Sequence, residues 1–299
     1  MSVPFLFEVG VEEIPDWMIQ NAISELRKLF EVLLQGNRLA SAGVSVDATP
    51  RRLLLRAYGL PACQSDTEER VLGPSKAAAF KDGTPTAAAL GFAKKLGVTV
   101  ADLGTESTPR GEYICYDKKL AGRQTRQILA ETLPDLILKI SFPKTMYWTG
   151  KGGPRFIRPI RWIVALLGDE VVPFELAGVK SGNLTCGHRR LGRKQVEVTI
   201  ASYDARLREN FVIVQAAERK KKIEAGIEAL LGASNMSLRP DPELLNTLVY
   251  MTEYPAPILG RFDSEFLRLP QEVLVTVMRH HQKYFSVEDS QAEIGRAHV

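Results

Sequence analysis

The hydrophobic pattern of the N-terminal part predicts one helix packed against a small sheet. Phe5–Val9 is an apolar strand, and Pro15-Asp16 suits a helix start, where the missing N–H of proline costs nothing and an acid faces the helix dipole. Apolar residues then recur at helical spacing as far as Gly36, the expected stop. Val44–Ala48 and Leu53–Tyr58 read as two strands. The order β-α-β-β predicts an α/β (α+β) fold with mixed sheets and covering helices.

The next segment is richer in alanine. Two short helices are expected over residues 71–97, followed by a strand over Glu112–Lys119. Arg123–Lys139 is amphipathic and predicts a helix, but Pro134 is expected to kink or divide it because proline lacks a backbone donor. A domain boundary is expected near Ile140.

The stretch Pro154–Gly192 is β-rich, apolar in its middle and basic at both ends. Trp162–Leu167 is a fully apolar strand, and Val171–Leu176 is expected to return beside it after the Gly168-Asp169 turn. Fully apolar runs of this length are typical of buried strands. The stretch therefore predicts a core that presents cations to a polyanion.

Short strands and helices alternate after this stretch. Val196–Ile200 and Val212–Val214 are expected strands, Gln215–Leu231 is a charged helix, and a strand beginning at Tyr284 is expected to have no partner. Three regions follow from the whole pattern: an N-terminal α/β domain (1–140), a β-rich basic domain with flanking helices (141–287) and a truncated or non-native tail (288–299).

Composition agrees with an ordinary globular protein, but the charge is unevenly placed. The chain has 299 residues, of which 45% are hydrophobic and 25% charged, and its net charge is +4. Lys139–Lys194 contains eleven Lys or Arg against three Asp or Glu, a local charge of +8. A basic centre in an otherwise slightly acidic chain indicates an anion-binding face, and nucleic acid is the commonest large anion. A solvated basic surface without a ligand is the alternative.

Cysteine and histidine spacing indicates neither a disulfide framework nor a metal site. The three cysteines form no CxxC pair, and the four histidines show no HxxxH or HExxH spacing. No apolar run is long enough to cross a bilayer, and the first residues lack the pattern of a signal peptide. These features predict a cytoplasmic protein with reduced cysteines.

No familiar catalytic motif is present. The sequence has no GxSxG elbow, and the glycine-rich loop Gly150–Gly153 lacks P-loop spacing. This loop is basic and follows Tyr147 and Trp148, a mixture that suits single-stranded or distorted RNA. Trp148 itself is expected to anchor the core. The chemistry alone favours RNA binding over catalysis.

Charged residues near the N-terminus leave alternatives open. Glu8, Glu12 and Glu13 have no neighbouring Asp or His partner, so capping and surface roles are favoured over metal or acid–base chemistry. Arg51 and Arg52 lie on a turn beside a strand, where they either contact phosphate or pair with the glutamates.

Five ordered motifs resemble those of the bacterial glycyl-tRNA synthetase beta subunit family. They are FLFEVGVEEIP (5–15), TPRRL (49–53), FIRPIRW (156–162), GHR (187–189) and HQKYF (281–285). Full-length members of this family are more than twice as long, and the remainder would contain a helical HD-type region and an anticodon-binding domain.

The resemblance implies a ligase of two alpha and two beta subunits that joins glycine to tRNA through a glycyl-adenylate, using ATP with magnesium. The alpha subunit would carry the active site, so this chain is expected to bind no cofactor and no metal. Its expected partners are the alpha subunit, a second beta subunit and tRNA(Gly), with no membrane. The N-terminal portion of the family also looks like the tRNA-proofreading type of domain in phenylalanyl-tRNA synthetase.

Two functional hypotheses follow. In the first, the chain binds tRNA, and the candidate contacts are Arg51, Arg52, Lys144, Lys151, Arg155, Arg158, Arg161, His188, Arg189, Arg190 and Lys283. In the second, it is a tRNA-editing hydrolase in which His188 acts as an acid–base group. An RNA-binding scaffold without catalysis is a further alternative. Any single arginine could instead pair internally with Glu8, Glu12 or Glu13.

Overall fold

The structure is a computed structural model that describes residues 2–150, 152–232, 236–288 and the backbone of 294–298. It comprises two units: unit 1 contains the residues up to Ala62 and from Thr125 onward, and unit 2 contains Cys63–Gln124. The unit boundaries therefore differ in position from the boundary expected near Ile140. Several sheets together with helices confirm the α+β class, and the central sheet of unit 1 contains both parallel and antiparallel pairs.

The described residues form twenty strands, which include a run of eight, over residues 146–197, with no helix between them. The strands are β1 (Ser2–Val11), β2 (Gly43–Thr49), β3 (Arg52–Pro61), β4 (Thr67–Ser75), β5 (Phe80–Lys81), β6 (Thr84–Pro85), β7 (Gly104–Thr108), β8 (Gly111–Leu120), β9 (Met146–Tyr147), β10 (Arg155–Phe156), β11 (Ile160–Leu167), β12 (Glu170–Val171), β13 (Glu175–Leu176), β14 (Val179–Gly182), β15 (Leu184–Thr185), β16 (Val196–Glu197), β17 (Ser237–Leu238), β18 (Ile258–Gly260), β19 (Phe285–Glu288) and β20 (Ile294–His298).

The helices agree with most of the predicted ones. They are α1 (Asp16–Gly36), α2 (Lys76–Ala79), α3 (Ala87–Leu96), α4 (Thr125–Lys139), α5 (Tyr203–Glu209), α6 (Ala216–Leu231), α7 (Pro242–Met251) and α8 (Gln271–Thr276). Short 3-10 helices cover Val100–Asp102 and Ser264–Arg268, and a π-helix covers Val277–Gln282. Among the helices of the described ranges, none has the length and apolar character needed to cross a bilayer.

The central sheet of unit 1 is built around β1. Its strand order is β13-β14-β11-β1-β3-β2, with β12 beside β11, and β1 is antiparallel to both of its neighbours. Residues of β1 alternate between two cores, as the period of a strand requires. Phe5 and Phe7 face a core shared with α1, α4, α6 and α7, and the Phe5 ring lies 5.6 Å from that of Phe30. Leu6 faces a second, smaller core that contains α5.

Gly10 makes a close approach possible on the second face of this sheet. It pairs in register with Trp162 on β11 and with Arg52 on β3. A Cβ on Gly10 would lie 1.9 Å from the indole of Trp162. The absent side chain therefore lets the Trp162 ring lie over β1, where it meets the Arg52 guanidinium at 5.5 Å.

Substituting Gly10→Ala is expected to lower the free energy of unfolding by about 3 kcal/mol, because the indole must move out of a packed core. Gly36→Ala is the matched control, since a Cβ there meets nothing within 4 Å and alanine favours a helix. Urea denaturation of both variants measures the difference. Equal stabilities for the two variants would contradict the described packing of Trp162.

Unit 2 has a small core of its own. Its antiparallel sheet has the order β4-β8-β7, and α2 and α3 pack Ala79 and Ala89 against Ile114. The two ends of the unit are joined by a hydrogen bond from Gln64 N to Arg123 O at 2.9 Å. Unit 2 is therefore an insertion between β3 and α4, and its sequence-predicted helices and strand are confirmed.

Some sequence-based expectations in unit 1 are wrong. Val171–Leu176 is two short strands rather than one. Of the two effects expected of Pro134, a kink or a division, the division does not occur, because α4 is a single helix. No strand forms at Val212–Val214. The strand near Tyr284 does have partners, because β19 pairs with both β17 and β20.

Candidate nucleic-acid interface

The end of β1 gathers arginines from two separate segments onto one surface. The Glu12 carboxylate accepts a hydrogen bond from Arg161 Nε at 2.8 Å. Glu13 accepts one from Arg158 Nε through its backbone carbonyl at 3.1 Å, and its carboxylate lies 3.5 Å from Arg189 Nη1. We call the surface formed by Arg158, Arg161, Arg189 and Arg190 the cationic face.

The cationic face holds more positive charge than its glutamates neutralise, because it contains four guanidinium groups and, among the described residues, two of them pair with carboxylates. The side chains of Arg161 and Arg189 are 57% and 61% exposed, and Arg190 is exposed as well. Ion pairs this exposed contribute little to stability. These arginines can therefore exchange a carboxylate for a phosphate at small cost, and the planar guanidinium suits that ligand.

Half of the cationic face lies on a hairpin loop between β15 and β16, which we call the cationic loop (Gly187–Lys194). Gly187 N donates to Arg193 O at 2.8 Å, and Gly192 N donates to His188 O at 2.9 Å. These two backbone bonds close the loop on itself. Arg189 and Arg190 therefore extend from a loop whose base is closed.

Asn210, which follows α5, holds the cationic loop from outside. Its carbonyl accepts from His188 N at 2.9 Å, and its Oδ1 accepts from Arg193 N at 3.1 Å. A Cβ on Gly187 would lie 2.7 Å from Asn210 Cβ, and one on Gly192 would lie 2.5 Å from the Asn210 carbonyl oxygen. The two glycines are therefore needed for this close approach.

Arg52, a predicted phosphate contact, is fully buried instead. Its Nη1 donates to Glu8 Oε1 at 3.1 Å, its Nε to Glu253 Oε1 at 3.1 Å, and its Nη2 to the Cys186 carbonyl at 2.9 Å. Burial by itself would lower the pKa of Arg52, but Glu253 and Glu8 raise it above its ordinary value. A buried and fully paired cation offers no donor to a phosphate. Arg52 is therefore not a candidate for contact with tRNA phosphates.

Glu8, Arg52 and Glu253 form a buried cluster. The surface role expected for Glu8 is therefore wrong. The side chain is 0% exposed, and its Oε1 also accepts from Trp162 Nε1 at 2.7 Å and Thr185 Oγ1 at 2.8 Å. The Tyr203 hydroxyl donates to Oε2 at 2.8 Å, and burial followed by the charge of Glu8 raises the pKa of Tyr203 well above its usual range. The sequence carries one signal for this role, a single acid inside the apolar strand FLFEV.

Arg51 lies between the buried cluster and the cationic face. Its guanidinium carbon is 5.4 Å from the Trp162 ring centroid, and its side chain is only 14% exposed. Its Nη1 donates to the Gly187 carbonyl at 3.4 Å and lies 3.9 Å from Glu253 Oε2. Arg51 thus supports the base of the cationic loop, and its limited exposure makes it a weaker candidate for contact with phosphate.

Another group of candidates lies around the β9–β10 ribbon. Arg155 is exposed, and its guanidinium carbon is 5.2 Å from the ring centroid of Tyr147 on the paired strand. Lys144 is exposed shortly before β9. Trp148 packs edge-on against Phe156 at 6.5 Å and borders the main core, which confirms its predicted role as an anchor.

Two lysine candidates remain, and only Lys283 belongs to the described residues. Lys151 lies outside those residues. Lys283 is half-buried, with a left-handed backbone (φ 59°) at the end of the π-helix Val277–Gln282.

The His188 ring accepts hydrogen bonds from the backbone of the cationic loop. Its Nδ1 accepts from the backbone N–H groups of Arg190 at 3.3 Å and Leu191 at 3.2 Å. Over the described ranges, no hydrogen bond links this ring to a carboxylate, and no group of three His, Cys, Asp or Glu is placed to hold a metal ion.

The family model and the relatives that match this chain carry equivalent descriptions. The sequence model of one family, described as "Glycyl-tRNA synthetase beta subunit", matches residues 5–299. The chain is 44% identical over 295 residues to the glycine–tRNA ligase beta subunit of Acidobacterium capsulatum. The aligned region covers 97% of this chain and 42% of that protein.

Two further relatives carry the same name. The protein of Moorella thermoacetica is 42% identical over 296 residues, covering 98% of this chain and 42% of the relative. That of Syntrophotalea carbinolica is 40% identical over 296 residues, covering 98% and 43%. The chain thus spans less than half the length of these relatives. It belongs to the glycyl-tRNA synthetase beta subunit family.

Proposed function

We propose that this chain binds tRNA(Gly) through its cationic face, as the N-terminal part of a glycine–tRNA ligase beta subunit. The observation that carries the proposal is the convergence of three arginines, which Glu12 and Glu13 hold at the end of β1. Arg190 follows Arg189 in the chain and is exposed as well. Three of these four arginines are exposed and Arg158 is half-buried. Arginines on one surface suit the phosphates of a folded RNA, and phosphate contacts position the nucleic acid without reading its sequence. Selection of tRNA(Gly) over other tRNAs is then left to other parts of the complex.

The chemical step belongs to a partner alpha subunit in this proposal. The complex contains two alpha and two beta subunits in the cytoplasm, and it uses ATP with magnesium to attach glycine to tRNA. The relatives are named beta subunits, which supports the presence of an alpha partner. The mixed sheet would be a counterpart of the proofreading-type domain of phenylalanyl-tRNA synthetase that serves binding alone.

Reversing two charges of the cationic face tests the proposal. The double variant Arg158→Glu/Arg189→Glu is expected to bind tRNA(Gly) at least about tenfold more weakly at roughly 100 mM salt, because it loses two phosphate contacts and adds repulsion. Fluorescence anisotropy with end-labelled tRNA measures the dissociation constant.

The matched control is Arg27→Glu/Lys28→Glu, which makes the same charge change at two exposed positions on α1. It is expected to retain nearly the original affinity. Equal losses in both double variants would mean that only net charge matters, and the cationic face would not be the binding site.

A further inference from the structure

We infer that His188 is a positioning residue whose Nδ1 atom shapes the cationic loop, so that Arg189 and Arg190 are presented to phosphates. The inference rests on the proposed tRNA binding and deepens it. It assigns His188 neither a phosphate contact nor an acid–base step, the two roles that its sequence suggests.

His188 takes part in four of the hydrogen bonds that define the loop. Its backbone N–H donates to Asn210 O and its carbonyl accepts from Gly192 N, each at 2.9 Å. Its ring Nδ1 accepts from Arg190 N at 3.3 Å and from Leu191 N at 3.2 Å. Because Nδ1 must keep its lone pair to accept, the ring proton is assigned to Nε2.

Within the described part of the chain, the ring Nδ1 is the acceptor for the backbone amides of both Arg190 and Leu191. Leu191 is 57% exposed and Arg190 is exposed, so apolar packing does not hold this turn. The backbone bonds involving Gly187, Gly192 and Asn210 fix only its base. The tip, which carries the two arginines, therefore depends on the two bonds to Nδ1.

The geometry of these bonds predicts which side chains can replace histidine. Acceptance from backbone N–H groups two and three residues ahead is the pattern that Asn and Asp form in turns. The Oδ1 atom of asparagine stands at the same distance from Cα, in bonds, as Nδ1 of histidine. Glutamine places its oxygen one bond further, and leucine has no acceptor.

Three substitutions form the test, measured by anisotropy with labelled tRNA(Gly). His188→Leu and His188→Gln are expected to weaken binding about fivefold to tenfold, as the loss of roughly 1 kcal/mol of preorganisation implies. His188→Asn is expected to bind within about twofold of the original chain. Equal weakening by asparagine and leucine would overturn the inference, and so would full affinity in the leucine variant.

Hydrogen exchange of the peptide covering the cationic loop gives a second readout that does not depend on RNA. The backbone amides of Arg190 and Leu191 are expected to exchange faster in the leucine variant and at the original rate in the asparagine variant. The same exchange rate in the leucine variant, the asparagine variant and the original chain would overturn the inference, even if affinities changed.

A parallel variant separates failure of the inference from failure of the proposed function. Arg189→Glu/Arg190→Glu removes the cations and leaves His188 in place. If this variant keeps full tRNA affinity, the loop is not a contact and the proposed use of it fails. If it binds weakly while His188→Leu binds normally, tRNA binding by the loop stands and the positioning role alone is wrong.

Discussion

Replacing Arg52 by methionine is expected to lower the free energy of unfolding by about 3–5 kcal/mol, because removal of one partner leaves buried charges uncompensated. Glu8 and Glu253 are 0% and 5% exposed and would lose their common cation. Urea denaturation followed by circular dichroism measures the loss. The matched control is Arg27→Met on the exposed side of α1, which is expected to be nearly neutral.

A second substitution tests whether the loss of stability comes from buried carboxylates without a cation. Adding Glu8→Gln to Arg52→Met removes one of the two uncompensated carboxylates, so the double variant is expected to be more stable than the sum of the single losses predicts. Trp162 fluorescence offers a local probe, since this indole contacts both residues. Strictly additive losses would show that the two side chains do not form one electrostatic unit.

Replacing Arg219 by methionine is expected to cost about 4 kcal/mol, because several buried carbonyl groups lose their donors at once. The guanidinium is 0% exposed and donates at 2.7 Å to the carbonyls of Ala48, Ile213, Val214 and Val249. It thereby joins β2 to the segment before α6 and to α7. Burial lowers the pKa of Arg219 to about 10, which still leaves it charged at neutral pH.

The fork of donors, rather than the charge, is the important property of Arg219. Arg219→Lys keeps the charge, but a single ammonium cannot reach carbonyls on three different elements. It is therefore expected to recover little of the stability lost in Arg219→Met. Urea denaturation measures the free energy of unfolding of the two variants. A lysine variant as stable as the original chain would contradict the role assigned to the guanidinium donors.

The elements with strong periodicity were predictable from sequence. Helix α1 has a proline-acid start, a regular apolar stripe and a terminal glycine, and the structure gives it the expected limits. Strand β11 was predicted because an unbroken apolar run suits a strand buried on both faces. In both cases the signal is local, so no partner had to be known.

The buried cluster was not predictable in the same way. Arg52 Nε and its acceptor on Glu253 are separated by 201 positions, and the sequence between them does not show that they meet. Glu8, Glu12 and Glu13 look alike in sequence, yet the first is buried and the third is 63% exposed. Which glutamate pairs inside the core follows from strand register, and the register appears only in the fold.

Two errors have simpler physical causes. Helix α4 continues through Pro134 because its apolar face, including Leu133 and Ile137, packs into the main core and offsets one missing hydrogen bond. The partner of β19 was missed because β20 joins it through backbone hydrogen bonds, which leave no hydrophobic pattern in the sequence.

The salt dependence of tRNA(Gly) binding tests the central claim most directly. The logarithm of the association constant is expected to fall linearly with the logarithm of salt concentration, and each lost phosphate contact reduces the slope by about 1. The slope for Arg158→Glu/Arg189→Glu should therefore be smaller by about 2 than that of the original chain, while Arg27→Glu/Lys28→Glu leaves it unchanged. An identical slope in all three proteins would contradict the claim that the cationic face holds the tRNA backbone.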